Sequence, residues 1–307
     1  MIRRKFLKNL TAASTLLSLS PFELFSENHN VVKLTILHTN DIHSRIEPFK
    51  DGRNKNKGGL LQLSKTIKTI KEVEQNVLLF DSGDIFQGTP YFNFYEGELE
   101  FKLMSKIGYD ASTLGNHDFD NGISGLFKQL PFASFPFLCS NYNFSKTILK
   151  DKIKRFKIFK KQNIKVGVFG LGIELNGLVE KRLFGNIEYI DPLETAIKQA
   201  DLLKNKFKCD LIICLSHLGY SYDSKKVSDL VIAKKTKHID LILGGHTHTF
   251  LKKPTIVKNI IGQNVLVNQV GFGALKIGKI DYYFNTKNIK LDHNSAVINV
   301  NDFNNLI

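Results

Sequence analysis

Short apolar runs that each end in a loop of Asp, His or Asn constrain the fold of this chain more than any other feature of its sequence. The runs and their loops are Leu34–Leu37 with Asn40-Asp41-Ile42-His43, Val77–Phe80 with Asp81-Ser82-Gly83-Asp84, Ala111–Leu114 with Gly115-Asn116-His117-Asp118, Leu211–Leu215 with Ser216-His217, and Leu241–Leu243 with Gly244-Gly245-His246-Thr247-His248. In open α/β sheets, binding sites lie at the carboxyl ends of the strands. Strands that end at one edge would bring these polar side chains to one point.

Segments of helical period lie between the apolar runs and predict an α/β protein with mostly parallel strands. In one of them Leu60, Leu63, Ile67 and Ile70 recur at three- and four-residue spacing, and Asp191 before Pro192 is typical of a helix start. The predicted strands are Val31–Leu37, Val77–Phe80, Ala111–Leu114, Phe135–Cys139, Lys165–Gly170, Leu211–Leu215, Asp240–Leu243, Val265–Val270 and Ala274–Tyr283, with Arg155–Phe159 as hairpin partner of Lys165–Gly170. No linker-like segment divides the 307 residues, which favours a single domain.

The composition excludes several classes of protein. With 42% hydrophobic residues and only 7 Pro, the chain is neither disordered nor collagen-like. The net charge of +14 is spread over surface-type segments without interleaved aromatic residues, so a solvated face is favoured over a nucleic-acid site. Cys139, Cys209 and Cys214 lack CxxC spacing and are interpreted as buried thiols.

The first 26 residues have the layout of an export signal. Arg3 and Arg4 precede a modestly apolar stretch from Leu10 to Phe22, which then becomes polar. The paired arginines resemble a twin-arginine signal, and the stretch is too short for a transmembrane helix. We therefore predict a signal peptide over residues 1–26, a metal-dependent domain over residues 27–307, a periplasmic or otherwise exported location and no stable membrane anchor.

The loop motifs resemble those of the calcineurin-like metallophosphoesterases. They read Asp41-x-His43, Gly83-Asp84-x-x-Gln87-Gly88, Gly115-Asn116-His117-Asp118, His217 and Gly245-His246-Thr247-His248. More narrowly, Thr39–Ser44, Phe86–Pro90 and Asn116–Asp120 are similar to the bacterial periplasmic 5′-nucleotidases and UDP-sugar hydrolases. The resemblance spans roughly residues 32–283 and implies a four-layer α-β-β-α sandwich of two mixed sheets.

The same resemblance implies a binuclear metal site. By motif position, one metal would be held by Asp41, His43 and His248, the other by Asn116, His217 and His246, with Asp84 bridging both. Independently of the family, carboxylate, imidazole and amide ligands suit Zn, Mn, Fe or Mg rather than copper or iron–sulfur centres. The implied reaction is hydrolysis of phosphate monoesters, nucleotides among them, by attack of metal-bound hydroxide.

Two further residues are left for catalysis. The resemblance gives His117 the role of stabiliser or acid beside the phosphoryl group, with Asp120 as its orienting partner. The alternative for Asp120 is a turn residue before Asn121-Gly122. Asp118 stands where the family has Glu, and we expect it only to support neighbouring ligands.

Other polar residues have weaker signals. Gln87 and Asn141 follow strand ends and could support the ligands, while His38 is expected either beside the ligands or in the core. Arg45, Arg53 and the lysines between residues 50 and 57 could face an anionic substrate, but a solvated loop is the favoured explanation, because loops are polar in general.

The sequence leaves several alternatives open for the substrate. The family's nucleotidases continue into a second domain that stacks the base, and such a segment does not follow here. We therefore expect a separate chain to supply it, or broad action on small phosphate esters. The alternatives are a thiosulfohydrolase of the related sulfur-oxidation branch and a non-catalytic subunit that binds metal or polyanions.

Overall fold

A computed structural model describes residues 31–300, and the predicted signal peptide lies outside the described residues. The strands are β1 (Val31–Thr39), β2 (Val77–Asp81), β3 (Ala111–Ser112), β4 (Tyr142–Asn143), β5 (Phe156–Lys161), β6 (Ile164–Leu171), β7 (Glu188–Tyr189), β8 (Leu211–Ser216), β9 (Leu241–Gly244), β10 (Thr255–Lys258), β11 (Asn264–Asn268), β12 (Lys276–Asn285) and β13 (Lys290–Asn299). The α-helices are α1 (Leu60–Val73), α2 (Pro90–Tyr95), α3 (Glu98–Ile107), α4 (Gly122–Gln129), α5 (Lys181–Phe184), α6 (Pro192–Asp201) and α7 (Asp229–Lys235).

The first sheet has five strands in the order β13-β12-β1-β2-β3. Strands β1, β2 and β3 are parallel, and β12 and β13 are antiparallel to their neighbours. In this register Thr39 pairs with Asp81, and Asp81 pairs with Ser112. The loops that follow these three strands therefore leave the same edge side by side.

The second sheet has six strands in the order β10-β11-β9-β8-β6-β5. Its four central strands are parallel, and β10 and β5 are antiparallel edge strands. Ser216 at the end of β8 pairs with Gly244 at the end of β9. His217 and the segment from Gly245 to His248 consequently begin at neighbouring positions.

The two sheets pack face to face, with helices on both outer sides. Alternation along β1 turns Leu34 and Ile36 toward the second sheet, where they share a core with Val168, Ile213 and Leu243. Leu37, one residue further on, faces α1, α3 and α4 in a second core. A third core lies between the other face of the second sheet and helices α6 and α7. The predicted four-layer α-β-β-α fold is confirmed.

Most predicted elements are present, and the differences have physical causes. Phe135–Cys139 is not a strand: it makes only isolated bridges from Phe137 to Ser112 and from Leu138 to Lys154, and Pro136 has no N–H for a ladder. Its alternating apolar residues fill the core without a sheet partner. Strands β10 and β13 were not predicted, because they lie at sheet edges and carry few buried side chains.

Two further predictions concern the cysteines and a helix start. Cys139, Cys209 and Cys214 are buried free thiols, as expected. Asp191 caps α6, since its carboxylate accepts a hydrogen bond from the Glu194 N–H.

Between residues 31 and 300, no helix combines the length and the apolar character that crossing a bilayer requires.

Candidate metal centre

Five loops from the two sheets meet at one edge of the sandwich. Backbone hydrogen bonds from Asp41 N to Gly83 O and from His43 N to Asp84 O, both 3.0 Å, join the first two loops. The His246 N–H lies 3.0 and 3.1 Å from the two carboxylate oxygens of Asp41, which joins the second sheet to the first. The convergence predicted from the sequence is therefore present.

The ligand-type side chains form two groups. Asp41, His43 and His248 place one ligand atom each within 4.8 Å of one another, and so do Asp84, His217 and His246. In the first group, His43 Nε2 lies 2.9 Å from His248 Nε2, and His248 Nε2 lies 3.4 Å from Asp41 Oδ1.

Asn116 lies against the second group, and Asp84 of that group also faces the first. Asn116 Oδ1 lies 2.9 Å from His246 Nδ1. Asp84 Oδ2 lies 3.0 Å from His217 Nε2 in its own group and 4.0 Å from His43 Nε2 in the other. Asp84 therefore stands between the two groups, at the place where a bridging ligand is expected.

These donors fit divalent cations. Two imidazole nitrogens face each other at His43 and His248, an arrangement that an ion between them would stabilise. His217 Nε2 is buried and makes no hydrogen bond of good geometry, whereas its Nδ1 donates to Ser82 O at 2.7 Å. Burial opposes a charge on this ring, yet the Asp84 carboxylate outweighs it and raises the pKa of His217 to about 10. The site thus favours a positive charge at the position where a metal would bind.

The backbone of the candidate ligands is held in an uncommon conformation. Five of them have positive φ angles: Asp41 (52°), His43 (49°), Asp84 (56°), His246 (72°) and His248 (49°). Left-handed conformations are rare and costly for such residues and occur mainly at functional sites. The fold therefore supports this strain to direct the ligands toward one another.

Gly115 allows two of the loops to approach closely. A Cβ atom there would lie 2.1 Å from Asp84 Oδ1 and 2.6 Å from Asp84 N. We expect Gly115→Ala to displace Asp84 and to reduce the amount of metal bound per chain. We also expect kcat/KM to fall at least about tenfold, because a displacement of about 1 Å at a reacting site slows the reaction strongly. Metal analysis and kinetics check this, with Gly177→Ala as control: a Cβ there meets no atom within 4 Å, and the φ of 85° strains only a turn outside both ligand groups. Full metal content in Gly115→Ala would contradict the steric argument.

The Asp118 side chain links the same two loops through hydrogen bonds to their backbone. Its carboxylate accepts backbone N–H groups of Asp84 at 3.1 Å, Ile85 at 3.0 Å, Phe86 at 3.3 Å and Gly115 at 2.8 Å. Burial, and next the charge of Asp84, raise the pKa of Asp118 to about 7. Asp118 thus organises the loops without joining either ligand group, in agreement with its expected supporting place.

His117 and Asp120 lie beside the ligands at the solvent edge. The Nδ1 of His117 lies 2.8 Å from Asp120 Oδ2, and its ring centre lies 5.3 Å from that of His43. The hydrogen bond to Asp120 raises the pKa of His117. The predicted pair is formed, with 39% of the His117 side chain exposed.

The polar residues with weaker sequence signals lie outside both ligand groups. His38 is buried and accepts from Asn268 Nδ2 at 2.8 Å, and Asn141 is bonded to the backbone of Gly172, so both belong to the interior. Gln87 is exposed and caps its neighbouring Gly88 N–H. Arg45 stacks over the Phe49 ring at 4.1 Å.

Two residues of the site were missed in the sequence. Asn40 donates from Nδ2 to Asp41 Oδ2 at 2.6 Å and accepts from Val270 N, so it orients a ligand. Phe272 stacks on the His248 ring at 5.1 Å between ring centres. Asn40 lies inside the quoted motif and could have been found there, whereas nothing in the local sequence marks Phe272.

Comparison with known proteins identifies the family. The calcineurin-like phosphoesterase model matches residues 34–250. The chain belongs to the calcineurin-like phosphoesterase family. Among curated relatives, a snake venom 5′-nucleotidase of Gloydius brevicauda is 33% identical over 299 residues, covering 88% of this chain and 48% of its own length. A 5′-nucleotidase of Vibrio cholerae is 36% identical over 241 residues, covering 76% of this chain and 43% of its own.

A solved structure extends the comparison with this calcineurin-like phosphoesterase. The crystal structure of a 5′-nucleotidase precursor from Thermus thermophilus matches with a TM-score of 0.79 and 30% identity, over 87% of this chain and 54% of that one. The resemblance to 5′-nucleotidases seen in the motifs is thereby confirmed. The chain spans about half the length of the curated relatives it matches.

The calcineurin-like phosphoesterase site predicts a measurable link between metal and stability. Each divalent ion at about 100 times its Kd should stabilise the folded state by about 2.7 kcal/mol, because ligands that converge only in the native chain bind it there. For a chain of this size, two such ions correspond to a rise in Tm of roughly 10 °C. Calorimetry with chelator and then with added Mn²⁺ checks this, and an unchanged Tm would contradict it.

Proposed function

We propose that this protein is an exported phosphoesterase that hydrolyses small phosphate monoesters, 5′-nucleotides among them, at two divalent metal ions. One observation carries the proposal: two separate ligand groups meet at Asp84, and the His117–Asp120 pair lies beside them. A site for a single structural ion would need neither the second group nor the pair.

Bound divalent ions would polarise the phosphoryl oxygens and acidify a water molecule. The chain's own residues would orient the metal ligands and supply a hydrogen-bond donor to the substrate. Ser82 O fixes the tautomer of His217, leaving Nε2 as its ligand atom, and Asn40 orients Asp41. Asp120 occupies Nδ1 of His117, which leaves Nε2 to donate to a phosphoryl or leaving-group oxygen.

The substrate class follows from the family and from the form of the site. Relatives named 5′-nucleotidase match most of this chain. His43, His117 and His248 are partly exposed, with side-chain exposures of 18%, 39% and 38%, so a small ester can reach the ligands from solvent. We therefore propose nucleoside monophosphates and simpler phosphate esters as substrates.

Phosphate release from AMP, UDP-glucose and p-nitrophenyl phosphate by the purified chain tests the proposal. The chain is first treated with chelator and then assayed with and without Mn²⁺ or Zn²⁺. We expect release that depends on metal and is at least as fast for the small ester as for AMP. No release with any metal would overturn the proposal and favour a thiosulfohydrolase, which a thiosulfonate-type substrate on a carrier thiol would reveal.

Export is a separate part of the proposal and rests on residues 1–26 alone. Fused to a folded reporter, this segment should direct it across the membrane, and Arg3→Lys together with Arg4→Lys should retain the reporter inside. Export of the doubly substituted fusion at the normal rate would contradict the twin-arginine assignment.

A further inference from the structure

A cavity near the metal centre is lined by none of the predicted metal ligands. Its volume is about 290 Å³. Its lining residues in the described part of the chain are Arg53, Asn54, Lys57, Phe250, Leu275, Lys276 and Asn299. It therefore combines cationic side chains with an apolar wall.

Among the described residues, no carboxylate lies against the positive charge that lines this cavity. Arg53, Lys57 and Lys276 form no ion pair with any carboxylate between residues 31 and 300, and the lining includes no acidic residue from that range. Lysines elsewhere on the surface have an acidic partner in some cases, such as Lys146 and Lys198, and none in others, so these three side chains differ in lining one cavity together. Three unmatched cations around one cavity attract an anion more than a scattered surface charge does.

Aromatic side chains connect the cavity to the metal centre. The Phe250 ring lies 5.8 Å from the Phe272 ring, which in turn stacks on the ligand His248 at 5.1 Å. Phe250 is 41% exposed, and Lys276 Nζ lies 5.5 Å from the centre of its ring. The cavity is thus two ring contacts from a metal ligand.

The wall formed by Phe250 is held rigidly. The segment that carries it pairs with the one before Phe272 through Leu251 N to Gln269 O at 3.2 Å and Gly271 N to Thr249 O at 3.0 Å. A Cβ on Gly271 would lie 2.0 Å from the Phe250 ring, so glycine lets this ring pack directly on the backbone. A fixed wall loses little conformational entropy when a ligand binds.

We propose that this cavity binds a second anionic group of the substrate while the metal centre holds the phosphate to be cleaved. The inference rests on the proposed function and deepens it by naming the substrate class, which is phosphate esters that carry another phosphate or carboxylate in the departing part. Arg53, Lys57 and Lys276 contact that group, and its carbon linker crosses Phe272 and Phe250.

Matched pairs of substrates test the cavity. Bisphosphates of straight-chain diols with two to eight carbons are compared with alkyl monophosphates of equal length, at physiological ionic strength. At the chain length that spans the two sites, we expect kcat/KM of the bisphosphate to exceed that of the monophosphate about tenfold, because the added contacts are charge-assisted. In Arg53→Ala/Lys276→Ala the ratio should fall to about 1.

A control distinguishes the cavity from general attraction by a basic protein. Lys160→Ala/Lys165→Ala removes the same charge from exposed positions on strands β5 and β6, and it should keep the wild-type ratio. A ratio near 1 for every chain length, with monophosphates still hydrolysed, overturns the cavity proposal and leaves the proposed function intact. A ratio that persists in Arg53→Ala/Lys276→Ala overturns it as well.

A binding measurement covers the case in which no ester is hydrolysed and the proposed function fails. Calorimetric titration of the metal-free chain with 1,4-butanediol bisphosphate then decides the inference. Binding that weakens about tenfold in Arg53→Ala/Lys276→Ala supports it. Absent binding, or equal binding by the wild type and this variant, overturns it.

Discussion

Asp84→Ala is expected to leave the protein folded but without its metal ions, and to reduce hydrolysis by about 10³-fold or more. Asp84 is the carboxylate between the two ligand groups, 3.0 Å from His217 Nε2 and 4.0 Å from His43 Nε2. Its removal takes a ligand from both groups, and the metal ions supply several kcal/mol of transition-state stabilisation. Elemental analysis of the purified variant, together with kcat/KM, measures the effect.

The control for Asp84→Ala is Asp223→Ala, the same change at an exposed position. It should retain metal and activity. Circular dichroism of both variants shows whether the fold is kept, because His117 N loses the Asp84 Oδ1 acceptor at 2.8 Å in the first. Two metal ions per chain in a folded Asp84→Ala protein would contradict the bridging position.

His117→Ala is expected to keep both metal ions and to lower kcat by about 10²–10³-fold, within the range for a removed acid–base group. His117 belongs to neither ligand group, and its Nδ1 is occupied by Asp120 at 2.8 Å. Asp120→Asn should have a smaller effect of the same kind, since it alters the orientation and charge of the ring rather than removing it. Steady-state kinetics and metal content measured on the same samples separate these roles.

His293→Ala serves as control for the histidine substitution, because His293 lies on β13 outside both ligand groups. It should leave kcat unchanged. Equal metal loss in His117→Ala and Asp84→Ala would contradict the division of roles between them. Unchanged turnover in His117→Ala would show that this side chain takes no part in the reaction.

The candidate ligands were more predictable than their surroundings, because each lies within four residues of the end of a buried strand. The register of each sheet then places these loops side by side, because Thr39 pairs with Asp81 and Ser216 pairs with Gly244. The contribution of Asp118 was only partly visible. Its four backbone hydrogen bonds depend on how two loops fold against each other, and no local pattern encodes that.

The fold was predictable where apolar periodicity is strong and failed where burial comes from distant packing. Phe135–Cys139 has the pattern of a strand, yet its side chains are buried by helices and loops without a ladder partner. Strand β13 differs in the opposite way, since most of its side chains are at least partly exposed while its backbone pairs with β12 along its length, with one register shift between Tyr283 and Phe284. The Phe250 and Phe272 rings meet His248 through tertiary contacts alone.

Activity measured against equivalents of added metal tests the central claim most directly. The purified chain is freed of metal by chelation, and Mn²⁺ is then added stepwise while p-nitrophenyl phosphate hydrolysis is followed. Two ligand groups that share Asp84 predict that activity rises until two ions are bound per chain and then stays constant. Full activity at one ion per chain, or hydrolysis that chelation does not affect, would contradict the two-metal account.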